Sequence, residues 1–226
     1  MAKKDKAPQE EGLLVDVEQS LTKTEQYLEN NWKKVVTIAA GVTAIVLAVF
    51  AYQKYVAEPA NIEAGNEAAQ AIKWFEQDSL QLALEGNSAS LGLIDIIDEY
   101  GSTPTGKSAN YYAGMAYLQM GDFENAIAYL DDYKKGDVVL SAMALGGIGD
   151  AFMELGQDDD ALDYYMKAAK TTNNNFTTPM FLQKAAMVNQ MQGNNVKALK
   201  LYQRIADEYP DSRQAAGVES IISSLK

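Results

Sequence analysis

No side chain in this sequence supplies an imidazole or a thiol. The 226 residues contain neither His nor Cys. That excludes disulfides, Cys/His zinc sites, Ser-His-Asp and Cys-His nucleophiles and histidine pH switches. The chemistry left belongs to carboxylates, amides and thioethers. Acids cluster at Asp158-Asp159-Asp160, Asp98-Glu99 and Asp207-Glu208. The triplet lacks the spaced oxygen ligands, the glycine and the closing Glu of a calcium loop. It stands just ahead of a helical pattern, where acids favour the helix N-terminus. The two pairs read as solvated faces. Asn175-Phe176-Thr177 matches the N-glycosylation triplet, which matters only in a eukaryotic secretory route. Nothing assembles a nucleophile, a base and an oxyanion site, so we expect binding without catalysis, cofactor or metal. The thioethers point the same way: nine methionines are flexible, polarisable side chains suited to surfaces that accept varied apolar partners. A net charge of −12 makes the chain a poor nucleic-acid binder.

One segment dictates where these residues work. Residues 35–52 (VVTIAAGVTAIVLAVFAY) carry no charge and are just long enough to cross a hydrocarbon core of roughly 30 Å. Trp32, Lys33 and Lys34 frame the run on one side, and Tyr52, Lys54 and Tyr55 on the other, as suits the headgroup region. Lys23, Lys33 and Lys34 outweigh Lys54, which puts the N-terminus in the cytoplasm. The 34 residues ahead of the run, and the lack of a clean Ala-x-Ala after it, predict an uncleaved anchor at 32–55. Before it, residues 1–12 are polar enough to be a disordered tail. Leu14, Val17, Leu21, Leu28 and Trp32 recur at helical spacing, which predicts an amphipathic cytoplasmic helix at 13–31 ending at Asn30-Asn31. Residues 1–55 balance seven Lys against seven acids, so the whole excess of negative charge lies in 56–226. An acidic external domain, 60–226, should stand off an anionic membrane.

That domain repeats itself. Gly121, Gly156 and Gly193 are turn glycines spaced 35 and 37 residues apart. Seven residues before each stand Gly114, Gly149 and Ala186; four before stand Tyr117, Phe152 and Asn189. Five after stand Ala126, Ala161 and Ala198; nine after stand Leu130, Tyr165 and Tyr202. Small residues let the two helices of a hairpin approach, and aromatics fill the gap to the next helix. The pattern resembles the tetratricopeptide repeat, although the family's Trp is replaced by Asn110, Leu145 and Leu182. It predicts an all-α fold: a single transmembrane helix, then a helical-hairpin solenoid with a closing helix from Ser212 to Leu225. A degenerate fourth hairpin precedes the others, with a first helix from Glu63 to Glu85 after a break at Glu58-Pro59. Its second helix aligns Leu93, Ile96 and Tyr100 with Tyr202, Ile205 and Tyr209, and Ala89 with Ala198.

By that resemblance, groove-facing positions lie thirteen, ten, six, three and two residues before each turn glycine. The candidate protein-binding residues are Tyr111, Met115, Leu118 and Gln119, then Met143, Asp150, Met153 and Glu154, then Met180, Gln183, Met187, Gln190 and Met191; Ser108 and Gly146 complete the set. Six of the nine methionines fall on this face, as a binding strip or as packing. No cation falls on these positions, so an acidic C-terminal tail is not the expected ligand.

The order of parts, and the stretch VEQSLTKTEQYLENNWKKVVTIAAGVTAIVLAVFAYQKYV at 17–56, resemble the YfgM family of ancillary SecYEG translocon subunits. The resemblance implies a bacterial inner-membrane protein, single-pass, with a cytoplasmic N-terminus and a periplasmic repeat domain. It implies the translocon and a membrane-anchored periplasmic chaperone of prolyl-isomerase-like type as partners, with emerging polypeptides as clients. The alternatives are a scaffold for another cell-envelope or secretion complex, and a regulator acting through its cytoplasmic arm.

Overall fold

The computed structural model describes the backbone of residues 8–133 and 136–225, with side chains from Glu25 onward except Gln26. The chain divides into two units, Met1–Ala57 and Glu58–Lys226. In the first, α1 (Pro8–Tyr52) is followed by a π-helical turn, Gln53–Ala57. Residues 1–7 of the expected tail lie outside the described residues. From Pro8 the helix runs through Asn30-Asn31 without the break expected there. The reason is local: the Asn31 amide donates back to the Tyr27 carbonyl at 3.1 Å, inside the helix. Thr37 and Thr43 do the same, donating to Lys33 and Ala39 carbonyls at 2.7 and 2.9 Å. Both threonine hydroxyls of the apolar run are thus satisfied within the helix, as hydrocarbon demands. Ile38, Ile45 and Phe50 are 65–67% exposed, so no protein core covers them. This helix is long and apolar enough to cross a bilayer and fits a single-pass anchor.

In the second unit, α2 (Glu58–Glu76) opens with Pro59 in its first turn, where a missing N–H costs no helix bond. The expected break at Glu58-Pro59 is therefore a π turn ahead of a helix start. The helix expected from Glu63 to Glu85 is two: α2 ends at Glu76 and α3 spans Leu80–Glu85. Between them Asp78 adopts φ +59°, a conformation Asp tolerates better than most residues. Asn87 then holds a tight turn, its Oδ1 accepting from the amides of Ala89 and Ser90 at 2.8 and 3.1 Å. Ala89 is exposed in that turn, so its alignment with the buried Ala198 fails. In α4 (Leu93–Tyr100) the alignment holds: Leu93 and Ile96 are buried like Tyr202 and Ile205.

Three hairpins follow: α5 (Pro104–Met120) with α6 (Phe123–Asp132), α7 (Val138–Glu154) with α8 (Asp158–Thr171), and α9 (Thr177–Met191) with α10 (Asn195–Glu208). Each turn glycine sits at positive φ: +81° at Gly121, +69° at Gly156, +75° at Gly193. Each turn closes with the same bond, from Asp122, Gln157 and Asn194 amides to Tyr117, Phe152 and Asn189 carbonyls at 2.8–2.9 Å. That is the Schellman geometry, which only a residue free of a Cβ penalty adopts cheaply. Ala126, Ala161 and Ala198 are fully buried where the paired helices meet. A Cβ on Gly114 would stand 2.6 Å from Leu130 Cγ, and one on Gly149 2.6 Å from Tyr165 Cε1. The large fully buried side chains, among them Phe181, Leu182, Ile148 and Ile205, each contribute about 1.5–3 kcal/mol.

The closing helix is shorter than expected. Ser212 Oγ accepts from the Ala215 amide at 3.2 Å, but it caps a single 3-10 turn, Arg213–Ala215. Gly217 at φ +86° then redirects the chain into α11 (Val218–Ser224). Val218 and Ile222 still turn inward to cover the last hairpin, which a repeat stack needs at its end.

Candidate protein-binding face

The first helices of successive hairpins pack side by side: α2 on α5, α5 on α7, α7 on α9. Their common face holds a cleft of about 630 Å³ between the end of the first hairpin's turn and α7/α8. Five predicted residues line it: Leu118, Gln119, Asp150, Met153 and Glu154. Beside the turn glycine Gly121, Met120, Phe123 and Tyr165 also line it. Sequence offsets missed these three, because Met120 is adjacent to the turn glycine and Phe123 and Tyr165 belong to second helices.

The other predicted residues divide in two. Tyr111, Met115, Met143 and Met180 are half-buried and packed against core clusters. Tyr111 stands 5.8 Å, ring to ring, from Tyr133, and burial pushes its phenol pKa up. Met115 sulfur lies against α7, 3.2 Å from where a Gly147 Cβ would be. These side chains take the packing role. On α9, Met187 and Met191 are exposed at 52% and 68%, with Gln183 and Gln190 half-buried beside them. Gln190 Oε1 accepts from Tyr202 Oη at 2.7 Å, which holds its amide in place. Gly146 is not an open groove position: Phe181 lies against it so closely that a Cβ would stand 1.9 Å from Cε1.

No cation stands on the predicted positions, but one reaches them from the side. Lys184 of α9 reaches back across one repeat to Asp150 of α7, with Nζ at 2.5 and 2.7 Å from the two carboxylate oxygens. Tyr165 donates its hydroxyl to the same carboxylate at 2.6 Å, and the Lys184 ammonium lies 5.5 Å over the Tyr165 ring. Burial first, and the Asp150 hydrogen bond second, push the Tyr165 pKa well up, so it stays a neutral donor. The Asp150 charge is thereby countered inside the face. Glu154 is left as the exposed acid at the cleft. The one legible signal was an opposite charge, 34 residues on from Asp150, close to one repeat period.

Profiles of the tetratricopeptide repeat match residues 108–135, 144–175 and 182–212, which are the three hairpins just described. Tetratricopeptide repeat protein 29 of Macaca fascicularis is 28% identical over 107 residues, covering 44% of this chain and 22% of that relative. The chain thus spans under a quarter of that protein's length. The chain is therefore an all-α protein of tetratricopeptide hairpins with one long apolar helix near its N-terminus. Such repeats make protein–protein interaction scaffolds and are typically non-catalytic adaptors.

Proposed function

We propose that the chain is a membrane-anchored, non-catalytic adaptor of the Sec protein translocon in a bacterial inner membrane. Its N-terminus is cytoplasmic and its repeat domain periplasmic. There it binds a membrane-anchored chaperone of prolyl-isomerase-like type, emerging polypeptides, or both. The observation that carries this reading is the cleft at Leu118, Met120, Phe123 and Met153. It presents the exposed Met120 beside half-buried Leu118, Phe123 and Met153, and its acid Asp150 is already countered by Lys184. Such a surface accepts varied apolar segments without demanding a sequence. A domain tethered beside an exit channel meets its clients at high effective concentration, so weak binding suffices. The resemblance over residues 17–56 supports the choice of the Sec channel.

The test is pulldown of the full chain from native membranes in mild detergent, read by mass spectrometry. Translocon subunits and a membrane-anchored periplasmic chaperone are expected. Recovery of a different envelope complex in their place would refute the Sec assignment, and recovery of no partner would refute the adaptor reading.

A further inference from the structure

The third repeat departs from the first two at one place, and the departure leaves a hole. In the first hairpin the ring four residues before the turn glycine stacks on the ring eight after it: Tyr117 on Tyr129, centroids 5.2 Å apart. In the second, Phe152 meets Tyr164 at 5.4 Å. The same positions in the third are Asn189 and Leu201, with no ring at either. In place of the aromatic pair there is a pocket of about 310 Å³, walled by Leu162 and Met166 of α8 and Leu201 of α10. Asn189 lines it from α9, and Lys197 and Lys200 stand at its rim.

Two features of this pocket point to its occupant. Asn189 is 97% buried, since only 3% of its surface is exposed. Its Nδ2 donates to the Ala185 carbonyl at 2.9 Å, which fixes the amide orientation. Its Oδ1 is buried with no hydrogen-bond donor, a cost that a native site ordinarily avoids. The rim is basic in an acidic domain: Lys197 and Lys200 occupy the offsets held by Asp160 and Asp163 in the second repeat. Among the described residues no carboxylate pairs with either lysine.

We propose that this pocket binds one aromatic side chain of an acidic segment in a partner protein. The side chain carries a hydrogen-bond donor, tryptophan foremost. Its ring replaces the pair that the first two repeats supply from their own chain. The indole N–H reaches Asn189 Oδ1, and flanking Asp or Glu residues meet Lys197 and Lys200. The site lies between the second helices α8 and α10, apart from the cleft on the first-helix face, and does not rest on the Sec assignment.

The experiment uses the full chain in lipid nanodiscs and a short synthetic peptide with one tryptophan between glutamates, followed by the shift in indole fluorescence. Replacing Trp by Phe in the peptide leaves Asn189 Oδ1 unpaired and should weaken its competition with the tryptophan peptide about tenfold. Asn189→Phe with Leu201→Tyr rebuilds the ring pair of the second repeat and should abolish binding with the helical circular dichroism intact. Lys197→Glu with Lys200→Glu, both on the exposed rim, should weaken binding about tenfold at low salt and far less at high salt. Equal affinity for Trp, Phe and Ala peptides overturns the proposal, as does binding that survives the ring-pair variant. Self-association of the full chain that the ring-pair variant abolishes would assign the pocket to a second copy and overturn it too.

Discussion

Replacing Gly146 by Ala should destabilise the protein, and replacing Gly65 by Ala should stabilise it, although both glycines are inside helices. A helical Gly-to-Ala change gains about 1 kcal/mol from backbone propensity alone. At Gly65 in α2 the nearest atom to a new Cβ is Thr105 Oγ1 at 4.0 Å, so the gain is free. At Gly146 in α7 the new Cβ falls 1.9 Å from Phe181 Cε1 and 2.2 Å from Cζ. Ordinary contact begins near 3.4 Å, so the ring must retreat by 3.4 − 1.9 = 1.5 Å. Phe181 is 1% exposed and locked in the largest core cluster, so it has nowhere to go. Overpacking of that severity costs about 3 kcal/mol, leaving a net loss of about 2 kcal/mol after the propensity gain. Thermal unfolding of the full chain in detergent, followed by far-ultraviolet circular dichroism, resolves the two. Gly65→Ala should raise the midpoint by about 2–4 °C and Gly146→Ala should lower it by roughly twice that. If Gly146→Ala melts like Gly65→Ala, Phe181 does not close that position. The first-helix face would then be open where the structure shows it shut.

Three further outcomes follow from the same packing. Ala126→Leu, at a fully buried contact, should cost about 1–3 kcal/mol, while Asn125→Leu on the exposed side of the same helix should cost under about 0.5 kcal/mol; equal melting shifts would show the repeat register to be wrong. Tyr165, Tyr111 and Tyr202 have pKa values raised by burial, so each favours the folded state fully below the ordinary tyrosine pKa, and that stability is lost as pH climbs above it. Phenolate absorbance from Tyr165 should therefore appear only together with unfolding, and its appearance in the folded protein would contradict the burial of that ring. For topology, a Cys at position 6 should react only with membrane-permeant thiol reagents. A Cys at Asn175 should react with an impermeant reagent once the outer membrane is opened; Asn175 is exposed, whereas neighbouring Asn174 holds the start of α9 through the Phe176 and Thr177 amides. The reverse labelling pattern would invert the orientation.

What the residues revealed in advance was the part written in periodic form. Turn glycines, the small residues at Gly114, Gly149 and Ala126, and the Tyr and Leu positions nine after each turn repeat at fixed offsets, and each offset has one structural meaning. The degenerate unit ahead of the three hairpins was harder, because Asp78 and Asn87 make turns through single side chains and φ choices that leave no repeat behind. Asn30-Asn31 looked like a stop and is not one, since an Asn amide can bond back into its own helix. At the candidate face, offsets located Leu118, Asp150 and Met153, which line the cleft. They did not locate partners from second helices, such as Phe123 and Tyr165, or the Lys184 bridge, because those depend on how far a long side chain reaches between repeats. Asn189 was visible as a departure from the aromatic pattern, yet the pocket it leaves required the opposing Leu201 as well.

The central claim is that the cleft of the repeat domain receives apolar segments of other proteins. The direct measurement places a photocrosslinking side chain at Met120, at Met153 and, as a control outside the cleft, at the exposed Glu219. Crosslinking is read in membranes engaged in protein export. Positions 120 and 153 should capture a partner or an emerging chain, and 219 should not. Met153→Glu should abolish capture from 120 with the helical signal unchanged, because a charge is not cheaply buried against an apolar segment. Equal capture from 219, or capture from 120 that survives Met153→Glu, would contradict the account.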